Sequence, residues 1–174
     1  SKNFISMTQE KSNDFNDLFL ISQSKFLVSH TCGIANINAL FRKKQLLINV
    51  IPFQLIEFVE NPPGSLFIPK KLFDIKRKRF LKLHEIADLK YNIHEKNFFK
   101  KRELKVIENS ANEIKSAIKE MFFLTNKKNI SYKNKLQEKF WNSMTDKKGV
   151  KLIREKSNIN ICNSFLKINK NLIN

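Results

Sequence analysis

Phe26-Leu27-Val28-Ser29-His30-Thr31-Cys32-Gly33, followed by an apolar-rich run from Ile34 to Phe41 and by Gln45-Leu46-Leu47-Ile48-Asn49 ahead of Pro52, is the stretch that decides the fold class. A short β-prone run stops at a polar turn with glycine, a helical run follows, and a second β-prone run comes next. That succession is the pattern of a βαβ unit. In open α/β sheets a ligand sits outside the carboxyl ends of the strands, where loop amides and a helix N-terminus offer hydrogen bonds and partial positive charge to an anion. Ser29 to Gly33 is expected to occupy that position.

On the N-terminal side, Ser12, Asn13 and Asp14 are good N-caps, and Phe15, Leu18, Phe19 and Ser22 share one helical face. A helix of about two to three turns is therefore expected before the Phe26 strand. Residues 1–11 carry little pattern beyond Phe4-Ile5, which could end a strand. Helix, strand, helix and strand then alternate to Asn49, a doubly wound α/β pattern rather than a bundle.

On the C-terminal side the chain reads as irregular after Pro52. Asn61-Pro62-Pro63-Gly64 is the strongest turn signal, and Ser65-Leu66-Phe67-Ile68-Pro69 leads on into Lys70-Lys71-Leu72-Phe73. A loop of this length is usually functional or mobile. Phe80 to Leu83 suggests a short strand, His84 to Leu89 a helical turn, and Leu104 to Glu108 another strand. Ser110 and Glu113 form a capping box ahead of a helix whose buried stripe is Ile114, Ala117, Ile118, Met121 and Leu124 or Thr125. Ser131 is expected to start a further helix, with Tyr132, Leu136, Phe140 and Met144 on one face and Trp141 beside them. Asp146 to Asn160, rich in lysine and containing Gly149, reads as a linker, and Ser164 to Ile173 as a docking tail. The division expected is one domain over residues 1–145 and a linker with a C-terminal docking tail over 146–174.

The 174 residues, 41 % hydrophobic, suffice for one domain with a real core. The net charge of +17 invites a nucleic-acid reading, but only five of the 33 basic residues are arginine: Arg42, Arg77, Arg79, Arg102 and Arg154. Arginine is the residue suited to bidentate phosphate and base recognition, whereas scattered lysine mostly makes a solvated surface. Abundant Lys, Asn, Ile and Phe also fit a coding bias toward A·T-rich codons. Cys32 and Cys162 match neither a disulfide framework nor a metal-ligand spacing, so a reducing cytoplasm is the expectation. No apolar run approaches the ~20 residues of a membrane span.

Ser29, Thr31 and the amides around Gly33 are candidates for holding a diphosphate; the bland alternative is an ordinary strand-to-helix turn whose hydroxyl caps the helix. His30 in the same turn could orient or protonate a leaving group, or simply be exposed. Cys32 stands beside a helix N-terminus, but a nucleophile needs a base and none is identifiable, so a small buried residue is the expected role. His84 and His94 lack the neighbours of a metal site, and no metal is expected. Lys70, Lys71, Lys76, Arg77, Lys78 and Arg79 flank Phe67, Phe73 and Phe80, a mixture used on single-stranded nucleic acid. The rings equally fit core positions of strands, and Lys70 and Lys71 could instead lean over the ligand site and neutralise a phosphate.

Asp17-Leu18-Phe19-Leu20-Ile21-Ser22, Lys25-Phe26-Leu27-Val28, Cys32-Gly33, Leu40-Phe41, Asn49, Pro52 and Ile68-Pro69-Lys70-Lys71-Leu72-Phe73 together resemble the C-terminal half of a family of bacterial glycosyltransferases. Val106-Ile107-Glu108-Asn109, Leu136-Gln137-Glu138-Lys139-Phe140-Trp141 and Ser164-Phe165-Leu166-Lys167 with Asn169 are similar to that family's closing segments. The resemblance is spread over nearly the whole chain. It departs from the family where Cys32 replaces the serine of a Ser-Gly turn, and where Arg42 and Lys44 replace the Gly and Pro of a Gly-Lys-Pro turn.

The resemblance implies a Rossmann-like three-layer domain with C-terminal helices, half of a GT-B-like fold, that binds a nucleotide-sugar donor. It implies transfer of the sugar to the hydroxyl of a glycan or lipid-linked acceptor, without a bound metal or other cofactor, in the cytoplasm or peripherally at the inner face of the membrane. An N-terminal acceptor domain, absent from this chain, would complete the enzyme and supply the catalytic base. Ser29, Thr31, Gly33 and Asn49 carry over as donor-site residues, with Cys32, Lys70 and Lys71 beside them and His30 as a weak catalytic candidate. The alternative function is a lysine-rich nucleic-acid-binding module without catalysis, although no specific nucleic acid is expected.

Overall fold

The computed structural model describes residues 13–57, 60–92, 94–126, 134–145, 152 and 158–173. Helix α1 (Asp14–Gln23) is capped by Asn13, whose Oδ1 accepts the Asn16 amide at 2.8 Å. Strand β1 (Leu27–Ser29), helix α2 (Gly33–Leu40) and strand β2 (Gln45–Val50) follow as the βαβ unit expected from the Phe26–Pro52 stretch. A 3-10 turn (Phe53–Glu57) leads to β3 (Ser65–Pro69), and β7 (Ile159–Ile161) closes a four-stranded parallel sheet in the order β1-β2-β3-β7. The chain is thus a mixed α/β fold built on a parallel sheet flanked by helices.

Between β3 and β7 the chain forms a second, antiparallel sheet of β4 (Lys71–Asp74), β5 (Arg79–Phe80) and β6 (Leu104–Ile107), in the order β5-β4-β6. The short helices α3 (Leu83–Ala87) and α4 (Phe98–Lys101) connect its strands. Helix α5 (Ala111–Asn126) then packs on β2 and β3, and α6 (Lys135–Ser143) and α7 (Asn163–Ile168) complete the helical cover. The capping box forms as expected: the Ser110 amide donates to Glu113 Oε2 at 2.7 Å, and the Glu113 amide donates to Ser110 Oγ at 3.3 Å. No helix among the described residues is long and apolar enough to cross a membrane.

The core centres on β3, whose five residues are all buried. Side chains alternate across a strand, so burial of every one requires cover on both faces of the sheet. Phe67 meets Phe53 and Phe140 edge-on, with ring centroids 6.1 and 6.2 Å away. Such contacts add to the area term of a side chain that is 0 % exposed.

Several expectations change. Ser65 to Pro69, read as part of a long irregular loop, is β3, an interior strand of the parallel sheet. The linker assigned to 146–160 ends in β7: Ile159 and Asn160 pair with Ser65 and Leu66. The strand expected over Phe80–Leu83 is confined to Arg79–Phe80, because Leu83 already begins α3. Ile118 turns outward while Glu113, Ala117, Met121 and Leu124 form the buried stripe of α5. The apolar face read on α1 does not pack: Ile21 alone is buried there, and Phe15 and Phe19 are exposed. The strand end at Phe4-Ile5, the helix start at Ser131-Tyr132 and most of the assigned linker lie outside the described residues.

Candidate functional site

At the carboxyl end of the parallel sheet the β2–β3 pairing shifts register between Leu47 and Val50. Asn49 sits in this bulge with φ 53, a left-handed conformation that asparagine tolerates better than most residues. Asparagine 109, just beyond β6, holds it in place. The Asn49 amide donates to Asn109 Oδ1 at 2.8 Å, and the Asn109 amide returns a bond to Asn49 Oδ1 at 2.7 Å. Asn109 Nδ2 also donates to the Pro69 carbonyl at 2.7 Å, so one side chain ties together the ends of β2, β3 and β6.

Beside this clasp lies a cleft of about 370 Å³, lined by His30, Thr31, Ile48, Asn49, Lys70 and Glu108, with Ile51. His30 and Thr31 come from the turn after β1, Asn49 from the bulge in β2, and Lys70 from the residue joining β3 to β4. Three segments well separated in sequence thus bring four of the anticipated residues to one wall. Lys70 Nζ lies 2.6 Å from Glu108 Oε1 at the rim, where the glutamate is 63 % exposed. Ile48, Ile51 and Glu108 were missed by the sequence reading. An apolar residue at a strand end carries no distinguishing signal, and Glu108 would have been visible only as the acid next to an asparagine before a capping box.

The turn itself leaves donors available. Cys32 is the N-cap of α2 but makes no side-chain capping bond, and the amides of Gly33 and Ile34 have no partner among the described residues. Ser29 Oγ is buried and likewise makes no hydrogen bond among them. Gly33 is exposed, and a Cβ placed on it would meet nothing within 4 Å. The glycine is therefore not required by packing within the chain. No hydroxyl of this turn caps the helix among the described residues.

Lys71 behaves differently from its neighbour. It points away from the cleft to a buried pair with Glu113, Nζ to Oε1 2.8 Å, and Asn169 Nδ2 donates to the same oxygen at 2.8 Å. Burial works to raise the Glu113 carboxyl, but bonds from Lys71, the Ser110 amide and hydroxyl, and Asn169 outweigh it and hold the group below the usual carboxylate range. Lys71 is thereby committed to joining α5 to β4.

Of the four remaining cations of the basic run, the two arginines have acidic partners. Arg77 Nε lies 3.8 Å from Asp74, and Arg79 makes a bidentate pair with Glu85 at 2.7 Å for both bonds. The Arg79 bonds, assisted by the Lys82 amide, lower the Glu85 carboxyl to about 2 against the opposing effect of burial. Of the rings in this run, Phe67 is core, and Phe73 meets Phe80 edge-on at 5.3 Å. A larger cleft of about 550 Å³ opens beside the β4–β5 turn, but its walls include these paired charges and it lies away from the strand ends. Among the described residues no group of three or more His, Cys, Asp or Glu side chains could hold a metal, and both cysteines are free thiols, with Cys162 raised by burial and by Glu120.

Comparison of the chain with protein-family models, with curated proteins and with solved structures finds no match in any of the three.

Proposed function

We propose that this chain is the donor-binding half of a glycosyltransferase, a Rossmann-like domain of GT-B type that holds a nucleoside diphosphate sugar in the cleft at the carboxyl ends of β1 and β2. The observation that carries the reading is the convergence of His30 and Thr31, Asn49 and Lys70 on that cleft; the turn that holds His30 and Thr31 runs on into the start of α2, whose first amides have no partner among the described residues. Amides, a hydroxyl and an ammonium are the groups a diphosphate needs, and the eight-residue α2 adds the positive end of its dipole. In the reaction, the acceptor oxygen bonds the anomeric carbon as the anomeric bond to the diphosphate breaks. The electron pair leaves with the diphosphate, and the hydroxyl proton passes to a base on the N-terminal half. Thr31, the Gly33 amide and Lys70 would stabilise the charge developing on the leaving group.

Glu108 sets a condition on this reading. A carboxylate on the cleft wall repels a diphosphate and competes for Lys70, so Glu108→Gln is expected to raise diphosphate affinity by up to roughly fivefold, and Lys70→Met to lower it comparably. The test is an NMR titration with uridine diphosphate, guanosine diphosphate and a short single-stranded oligonucleotide as separate ligands. Saturable shifts at residues 29–33 with one diphosphate support the proposal, as does their loss in a folded Gly33→Val variant. Diffuse, salt-sensitive shifts with the oligonucleotide alone would replace it with a nucleic-acid-binding module.

A further inference from the structure

The amino-terminal pole of the parallel sheet, opposite the cleft, is unusually apolar at its surface. Leu40 and Phe41 at the end of α2 are 81 % and 38 % exposed, and Phe122 and Phe123 in the last turn-and-a-half of α5 are 48 % and 59 % exposed. Hydrogen bonds tie together the segments beside these side chains. The Leu27 amide donates to the Lys44 carbonyl at 3.1 Å, Lys44 Nζ reaches the Leu124 carbonyl at 3.4 Å, and Lys25 Nζ reaches Asn126 Oδ1 at 3.4 Å. Lys25 also sits over the Phe122 ring, 5.6 Å from its centroid. The starts of β1 and β2 and the end of α5 therefore meet here, and α1, with Phe19 and Leu20 exposed, packs beside α2.

The charges at this pole are predominantly positive. Segments 20–27, 40–46 and 119–126 carry Lys25, Arg42, Lys43, Lys44 and Lys119 against a single carboxylate, Glu120. Glu120 is turned inward, accepting the amides of Asn163 and Ser164 at 2.9 and 2.8 Å. Glu60, whose carbonyl accepts from Gln45 Nε2, is the nearby acid on the adjoining loop. A second copy of this chain would bring +17 against +17. Rings and leucines rimmed by cations complement an anionic bilayer surface, where the apolar groups enter the headgroup region and the cations meet lipid phosphates.

We infer that this pole, built around Leu40, Phe41, Phe122 and Phe123, docks the domain on an anionic lipid surface. The inference is independent of what the cleft binds. Its geometric consequence is that the cleft at the carboxyl ends of the strands opens away from the lipid, roughly 20 Å above it by the rise of a six-residue strand.

The test is co-sedimentation of the chain with vesicles of phosphatidylcholine alone and of phosphatidylcholine mixed with phosphatidylglycerol. Partitioning onto the anionic vesicles is expected to exceed that onto the neutral ones by roughly tenfold or more, since several cations face the surface. Leu40→Gln with Phe123→Gln, both at exposed positions, should reduce it by roughly tenfold while leaving the thermal unfolding curve in place. Absence of partitioning, or partitioning that the double variant leaves unchanged, overturns the inference. So does a concentration-dependent dimer in light scattering that the same double variant abolishes, because the pole would then be covered by a second copy.

Discussion

Asn109→Ala is the substitution that most directly tests how the candidate cleft is built. Asn109 is 7 % exposed and satisfies two backbone groups with one side chain: the Asn49 amide at 2.8 Å and the Pro69 carbonyl at 2.7 Å. Truncation leaves both without that partner. A buried polar group left unsatisfied costs about 1–3 kcal/mol, and Asn49, only half-buried, recovers part of this from water, so the loss should be about 2–4 kcal/mol. For a domain of 174 residues that lowers the unfolding midpoint by roughly 4–15 °C. The assay is urea unfolding followed by circular dichroism, with an unchanged m-value showing that compactness is preserved. Asn49→Gly is the companion variant: it keeps the left-handed backbone at φ 53 without strain but removes the Oδ1 acceptor of the return bond. It should lose about 1 kcal/mol, less than Asn109→Ala. A loss below about 0.5 kcal/mol for Asn109→Ala would refute the argument, because water would then satisfy both groups as well as the asparagine does.

Phe67→Ala should destabilise by about 3–5 kcal/mol in the same assay, since it removes the ring that meets both Phe53 and Phe140 from the buried strand β3. Glu113→Gln leaves Lys71, 17 % exposed, beside a neutral amide and should cost about 2–4 kcal/mol. Adding Lys71→Met should recover part of that loss, and strict additivity of the two would show that the pair is not coupled. Glu85, lowered from 4.5 to about 2 in the folded chain, contributes stability that is fully present above about pH 4.5 and is lost as pH falls toward 2. Because the pair with Arg79 is partly in solvent, Glu85→Gln should lower stability by about 1 kcal/mol at neutral pH and by almost nothing near pH 2, which urea unfolding across that range will show.

The stretch Phe26–Pro52, the capping box at Ser110 and Glu113, and the turn at Asn61–Gly64 were legible because each is a local device. Period, capping and turn chemistry act over a few neighbouring residues, and the sequence determines them without help from the rest of the chain. The turn after β1 was legible as a candidate site for the same reason, and Lys70 was noticed as a cation of the basic run, whereas Asn49 entered as a site residue through a resemblance and not through any pattern of its own.

What the tertiary structure alone decided is everything that depends on partners far along the chain. Ser65 to Pro69 shows no alternation, because a strand buried on both faces has none, and flanking prolines made it resemble a loop. Ile159–Ile161 becomes a strand only because β3 offers it an edge. Neighbouring Lys70 and Lys71 diverge to the cleft and to a buried pair because successive residues of extended chain face opposite ways, and which face holds Glu113 is set by where α5 packs. The clasp between Asn49 and Asn109 joins residues 60 apart, a pairing fixed by the docking of β6 against β4 and by the ends of two sheets meeting. Local interactions chose most of the elements; non-local packing made strands of Ser65–Pro69 and Ile159–Ile161 and chose which side chains share the candidate site.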